Sequence, residues 1–243
     1  MKPISNDLRR DTVVALDPLD LGRFDVGPGK RLIPICGWLI TLASGRRVLL
    51  DTGFPPAYAS DERATALADG LDSFGRLVGF GAEHTVLGAL GRHGVVASDI
   101  SHVILSHSHI DHVGGLGLFP GATIILSAAE RALPKPLYFG KAQPMAWPEA
   151  PYIAIDRTTE ICRGLRLYLT PGHTAGHLSA LVRVQGRATV LAIDAINRLS
   201  EPAEGYPDAA DPVVAARSGR MLLRLARRYR ARLIPGHEPI TRP

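Results

Sequence analysis

Cysteine is nearly absent from this chain. Cys36 and Cys162 are the only two in 243 residues, far apart and each in an apolar run. That excludes a disulfide framework or a cysteine-rich metal site, and both are expected as buried free thiols. No run of about 18 consecutive apolar residues occurs, so no membrane-spanning helix is expected. Residues 1–30 lack a charged head, an apolar core and a small-residue cleavage site, so no secretory signal is read and a cytoplasmic location is expected. The formal charge of +5 is modest and diffuse, and no stripe interleaves basic with aromatic residues, which argues against a nucleic-acid partner. Repeats and low-complexity segments are missing as well. With 46% hydrophobic and 21% charged residues, the composition is that of an ordinary globular protein, and residues 1–243 are expected to form a single domain with a large core.

Histidine, by contrast, is concentrated. His107-Ser108-His109-Ile110-Asp111-His112 places four potential metal ligands within six residues. Imidazole and carboxylate donors suit Zn, and also Fe, Mn or Co. His107 and His109, two apart, point the same way on an extended or tightly turning segment. Asp111 and His112 are adjacent, so their side chains are expected to diverge and to suit a second metal beside the first. The run implies two metals, or one metal with a spare Asp. Further ligands come from Thr170-Pro171-Gly172-His173, from Ile193-Asp194-Ala195 and from Pro235-Gly236-His237. Burying the four groups of the run without metal would leave costly unpaired polarity.

Each candidate follows a predicted strand. His102–Ser106 is short, apolar and branched, Leu165–Leu169 alternates, Thr189–Ile193 is continuously apolar, and Leu233-Ile234 precedes the last motif. Loops at the ends of a rigid sheet are where sites are commonly built. Elsewhere, a short strand is expected at Thr12–Leu16 within an otherwise irregular tail over residues 1–30, with two more near 32–42 and 46–51. Residues 54–83 read as a mobile lid or a partner-contacting segment, and 84–93 has helical spacing. Residues 134–151 hold five prolines with Tyr138, Phe139, Met145 and Trp147, and read as an apolar substrate wall or a surface or dimer contact. A helix is expected over 212–230, with Val214, Met221, Leu222, Leu225 and Tyr229 facing the core. His84, His93 and His102 read as packing or surface residues.

The ordered set of motifs resembles the metallo-β-lactamase fold superfamily over about residues 32–237, with Val48-Leu49-Leu50-Asp51-Thr52-Gly53 matching its early Asp motif. The resemblance implies an α/β fold, an αββα four-layer sandwich. It implies one metal on His107, His109 and His173, another on Asp111, His112 and His237, and Asp194 bridging them. Asp51 would steady the metal loops, and His177 would hydrogen-bond within its loop and orient ligands. Within the superfamily, the Pro-containing strand Pro34–Ile40, the chain length and the Asp194-Ala195 pair resemble N-acyl homoserine lactonases. These are quorum-quenching hydrolases that open a small lactone through a metal-bridging hydroxide, here with Asp111 as proton shuttle. One position departs: where those enzymes carry Tyr three residues after the bridging Asp, this chain has Asn197, which can donate a hydrogen bond but is no phenol. Tyr138, Tyr152 and Tyr206 are candidate replacements, and Trp147 a candidate substrate contact. A small ester or lactone is the expected substrate, and a second copy of the chain a candidate partner. Hydrolysis of another ester, thioester, β-lactam or phosphodiester competes with this reading, as does a mononuclear iron persulfide dioxygenase. The bridging Asp194 argues against β-lactamases, and the missing clamping insert against RNA processing.

Overall fold

The computed structural model describes residues 3–27, 31–139 and 142–239. Two sheets dominate it. The first contains β1 (Val13–Asp25), β2 (Leu32–Leu42), β3 (Arg47–Leu50), β4 (Arg76–Leu77), β5 (Ile100–Ile104), β6 (Thr123–Ser127) and β7 (Tyr152–Ile155), in the order β4-β1-β2-β3-β5-β6-β7. The second contains β8 (Thr159–Cys162), β9 (Leu165–Leu169), β10 (Leu178–Val184), β11 (Arg187–Ile193) and β12 (Arg232–Pro235), in the order β12-β11-β10-β9-β8. Helices are α1 (Asn6–Arg10), α2 (Glu62–Asp69), α3 (Val86–Gly91), α4 (Ile110–Val113), α5 (Ala128–Arg131), α6 (Glu201–Glu204) and α7 (Pro212–Tyr229).

Strand alternation builds the layers. Val48 and Leu50 of β3 and Ile104 of β5 face the second sheet and meet Leu167, Ala180 and Leu191. Leu49 and Val103 point the other way, onto Ala66 of α2, Leu90 of α3 and Ile110 of α4. On the far side of the second sheet, Leu181 and Val190 pack against Ala215 and Leu222 of α7. The order is helix, sheet, sheet, helix, the expected αββα sandwich.

Three expectations need correction. The short strand at Thr12–Leu16 is a 13-residue strand, β1, paired along β2 with a bulge between Asp20 and Arg23. Asp17, Pro18, Asp20 and Gly22 disguise it, because those residue types are depleted from strands; Asp17 and Pro18 pair in register with Leu39 and Trp38, and Gly22 sits in the bulge with φ +98°. Within the same stretch, α1 replaces irregular tail, while residues 1–2 and 28–30 lie outside the described residues. Residues 54–83 are a packed segment and not a bare lid: they form α2 and β4, and Phe54, Tyr58, Ala66, Leu71 and Leu77 are buried in the first core. On α7 Leu222 is buried as expected and Met221, Leu225 and Tyr229 pack half-buried against the same core, while Ala215, Ser218 and Gly219 complete the buried stripe. Small residues sit there because the loop carrying His173 presses against the helix: Ser218 Oγ donates to Pro171 O at 2.7 Å. Among the described residues of 134–151 no regular element forms, as expected of a loop; residues 140–141 lie outside them.

The parallel run β3-β5-β6-β7 and the parallel pair β11-β12 bring several strand ends to one side. The sheets are stitched there by the Leu178 N–H, which donates to Ser106 O at 2.9 Å.

Candidate metal centre

Asp51 leaves β3 with φ +63°, a left-handed conformation that Asp adopts more readily than most residues. That turn aims its carboxylate under the next loop. Oδ1 accepts the Ser106 N–H at 2.8 Å, and Oδ2 accepts the Ser106 hydroxyl at 2.7 Å. Oδ2 also lies 2.8 Å from His112 Nδ1, so the proton belongs on Nδ1 and Nε2 is left as a donor of electrons. Ser106 Oγ lies 3.0 Å from His107 Nδ1, which turns His107 Nε2 toward the same centre. His109 then caps α4, whose single turn carries Asp111 and His112. The helical turn corrects the expectation that these adjacent side chains diverge: Asp111 Oδ2 and His112 Nε2 come within 3.4 Å.

The scattered motifs arrive from the second sheet. His173 Nε2 lies 2.9 Å from His109 Nδ1 and 3.3 Å from Asp194 Oδ2. His237 donates from Nδ1 to Pro34 O at 3.0 Å and places Nε2 3.2 Å from Asp194 Oδ2 and 3.6 Å from Asp111 Oδ2. Two clusters result. His107, His109, His173 and Asp194 each offer one atom within 4.8 Å of the others, and so do Asp111, His112 and His237. Asp194 Oδ1, 3.6 Å from His112 Nε2, reaches the second cluster too.

The donor set fits a pair of cations. His107 Nε2, His112 Nε2 and Asp194 Oδ1 face the two clusters and are buried with no hydrogen-bond partner among the described residues. Each such group costs about 1–3 kcal/mol, and three together are comparable with the whole stability of a typical domain, roughly 5–15 kcal/mol. Ligation removes that cost. Protonation states agree at the first cluster. Burial pushes His107 and His173 well below the ordinary imidazole value and His109 down to about 4, so all three are neutral donors. Burial also acts against the charge on His237, but the Asp194 carboxylate outweighs it and lifts His237 to about 9. His112 is raised likewise, burial being outweighed by Asp111, Asp194 and Asp51. Burial opposes ionisation of Asp194, yet His237, His112 and His173 hold it well below the usual carboxylate range.

His177 stands apart. Its Nδ1 pairs with Thr170 Oγ1 at 2.8 Å and its Nε2 accepts the Asp194 N–H at 3.2 Å, so both ring nitrogens are engaged and the ring holds the Asp194 backbone. Asn197 is buried: its Nδ2 and N–H both donate to Glu201, and its carbonyl accepts the His237 N–H at 2.9 Å. Tyr138 lines a cavity of about 350 Å³ beside the centre, together with His109, His173, Leu133, Leu137 and Phe139. The Phe139 ring stacks on His109 with centroids 4.8 Å apart. Tyr152 donates instead to Pro148 O, Trp147 to Leu133 O, and Tyr206 lies over Gly219 of α7, so none of these three lines that cavity. His84 bonds the Gly81 N–H, His102 pairs with Ser101, and His93 is exposed.

The sequence pattern did not single out Glu130, a buried carboxylate on α5 that accepts from Ser108 at 2.6 Å and from Thr174. Ser106, Ser108, Thr170 and Thr174 were equally unremarked. Their one legible signal is adjacency to the candidate ligands.

The chain matches the family described as the Metallo-beta-lactamase superfamily over residues 37–237. It is 30% identical over 217 residues to the N-acyl homoserine lactonase AiiA of Bacillus thuringiensis subsp. kurstaki, an alignment covering 87% of this chain and 84% of that protein. Over 166 residues it is 32% identical to Metallo-beta-lactamase domain-containing protein 1 of Homo sapiens, covering 65% of this chain and 54% of that one. A solved structure of N-acyl homoserine lactone hydrolase, with the product N-hexanoyl-L-homoserine bound at its catalytic metal center, superposes with a TM-score of 0.79 at 27% identity, covering 93% of this chain and 94% of that one.

Proposed function

The chain belongs to the metallo-beta-lactamase superfamily of metal-dependent hydrolases, and from that premise we propose that it is a dinuclear lactonase opening N-acyl homoserine lactones or close analogues. The observation that carries the reading is the pair of buried clusters sharing Asp194, with the orphaned His107 Nε2, His112 Nε2 and Asp194 Oδ1 facing them. His107, His109 and His173 hold one ion, and Asp111, His112 and His237 the other. Zn suits the donors, as do Fe, Mn and Co. Two such ions supply an acidic, nucleophilic water near neutral pH and a Lewis acid for the carbonyl oxygen.

The protein's own groups do the rest. Asp111 keeps Oδ2 toward His112 and His237 while its Oδ1 is unpartnered, so Oδ1 is the atom that takes the proton released by the nucleophile and returns it to the leaving alkoxide. Ring opening then gives a hydroxy acid. The apolar side of the cavity, with Leu133, Leu137 and Phe139, receives the acyl chain and excludes water from the reacting carbonyl. Tyr138 is the one of the three candidate tyrosines that lines this cavity. Asn197, its amide committed to Glu201, is the specific observation behind a second reading, hydrolysis of another ester or thioester on the same centre.

Metal analysis followed by a pH-stat assay on lactones, esters, thioesters and a β-lactam tests this. Two metals per chain with acid release from acyl homoserine lactones is expected. One iron per chain with oxygen consumption would sink the hydrolase reading.

A further inference from the structure

Two glutamates lie deep in the protein, Glu130 and Glu201, each 1% exposed. A carboxylate is rarely buried unless hydrogen bonds replace its water. Both are so supplied, and in each case by the loops that carry candidate ligands.

Glu130 Oε2 accepts the hydroxyl of Ser108, the residue between His107 and His109. Its Oε1 accepts the hydroxyl of Thr174, which follows His173. One carboxylate thus ties a loop of the first sheet to a loop of the second, and the three histidines of one cluster are anchored together. Ser108 extends the tie to the cavity wall: its Oγ accepts the Leu137 N–H at 3.0 Å, and its carbonyl accepts the Tyr138 N–H at 2.9 Å. Gly176 belongs to the same arrangement, since an added Cβ there would lie 2.3 Å from Ser127 Oγ and 2.6 Å from the Glu130 nitrogen.

Glu201 does the corresponding task on the other side. Its two oxygens accept the Asn197 N–H and Nδ2. With Asn197 held, its carbonyl accepts the His237 N–H at 2.9 Å, while the neighbouring Ile196 carbonyl accepts the Gly236 N–H at 3.1 Å. Asn197 is therefore a strut between Glu201 and the backbone of His237, which accounts for an amide standing at that position.

We propose that Glu130 and Glu201 are dedicated positioning residues for separate halves of the centre: Glu130 for the His107–His109–His173 half, and Glu201, through Asn197, for the half that includes His237. This rests on the dinuclear reading above. Neither carboxylate touches a ligand side chain, so each acts on metal affinity through loop placement. Outer partners of metal ligands characteristically alter affinity by about 10–100-fold.

Stepwise release of metal to a chromophoric chelator from the fully loaded protein tests the division. His109→Ala and His237→Ala first assign the two release phases, since each removes one ligand. Glu130→Gln should then speed by about tenfold only the phase that His109→Ala abolishes. Glu201→Gln should speed by a similar factor only the phase that His237→Ala abolishes. Thr174→Val and Asn197→Ala, which leave both glutamates in place, should reproduce the respective effects and serve if a glutamate variant does not fold. Equal acceleration of both phases by every variant, or a fall in melting temperature with release unchanged, overturns the proposal and leaves the dinuclear hydrolase standing. A single phase in the unmodified protein overturns both.

Discussion

In the proposed mechanism Asp111 both ligates and moves a proton, and these demands separate on substitution. Asp111→Asn keeps an oxygen donor but loses the base, so metal content should stay near two per chain while kcat falls by about 10²–10⁴-fold. Elemental analysis beside steady-state kinetics measures this, and full turnover with full metal would remove Asp111 from proton transfer. The thiols make an opposite kind of prediction. Burial, and then the nearby Asp20 charge, pushes Cys36 up to about 12, while burial followed by Asp11 raises Cys162 to about 12. A thiol reacts as its thiolate, so the folded protein should take up essentially no iodoacetamide at pH 8, and labelling should appear only with unfolding. Cys36, expected to be buried, is half-buried and lines a groove whereas Cys162 is buried, so rapid modification of native Cys36 would show that its thiolate is more populated than that raised value allows. At this scale the ligand types were legible, because His-x-His-x-Asp-His has few other uses. The roles of Ser106, Glu130 and Asn197 were not, since a lone Ser, Glu or Asn acquires meaning only from the atom it meets across the fold.

Among elements, α7 and the loop after β9 approach closely beside the site. Gly172 has φ +131°, and an added Cβ would lie 2.2 Å from the Ala215 nitrogen. Gly172→Ala therefore combines a left-handed strain with a clash against helix backbone that cannot yield like a side chain. A loss of about 2–4 kcal/mol is expected, read as a lower urea midpoint of the metal-free protein, together with weakened metal binding because His173 is the next residue. An unchanged midpoint would mean that the loop has room to move. Strands ending at ligands were readable from their apolar runs and the Pro-Gly pairs that stop them. β1 was largely missed because its strength comes from 13 residues of pairing and not from side-chain propensity. On α7, hydrophobicity pointed correctly at the buried Leu222 and the half-buried Met221 and Leu225, but not at Ala215, Ser218 and Gly219, which close approach selects.

For the whole molecule, the centre joins two sheets that are otherwise held by apolar packing and a few hydrogen bonds such as Leu178 N–H to Ser106 O, so metal should act as a cross-link between them. A metal present at about 1,000 times its Kd adds roughly 4 kcal/mol per site, and about 1 kcal/mol corresponds to 2–4 °C in a chain of this size. Chelation should thus lower the melting temperature by roughly 8 °C or more, as calorimetry would show; no shift would place the ligands outside the folding equilibrium. The two halves should differ in pH response. His237, at about 9 in the metal-free protein, carries its proton at neutral pH. Because that value is raised, its contribution to the stability of the metal-free fold is complete below about 6.5 and fades as pH rises through 9. Metal must expel the protons of both His237 and His112, so affinity at that half should climb by at least about tenfold per pH unit between 7 and 9. His109, at about 4, has no proton to release in that range. Competitive titrations at two pH values would reveal one pH-dependent and one nearly pH-independent site, and two equal slopes would contradict the assigned electrostatics.

The sequence by itself determined the chemistry of this protein: six clustered or motif-borne donors and a strand-end Asp have to meet a cation or be left buried and unsatisfied, and the strand periods place them at one side of an α/β sandwich. Only the tertiary structure decided which donors share a cluster, that Asn197 is a strut tied to Glu201, that Phe139 and Tyr138 reach the cavity while Trp147 does not, and that Glu130 links the two sheets. Ligand identity is written in local residue order, whereas partnership depends on distances between segments that no local pattern records.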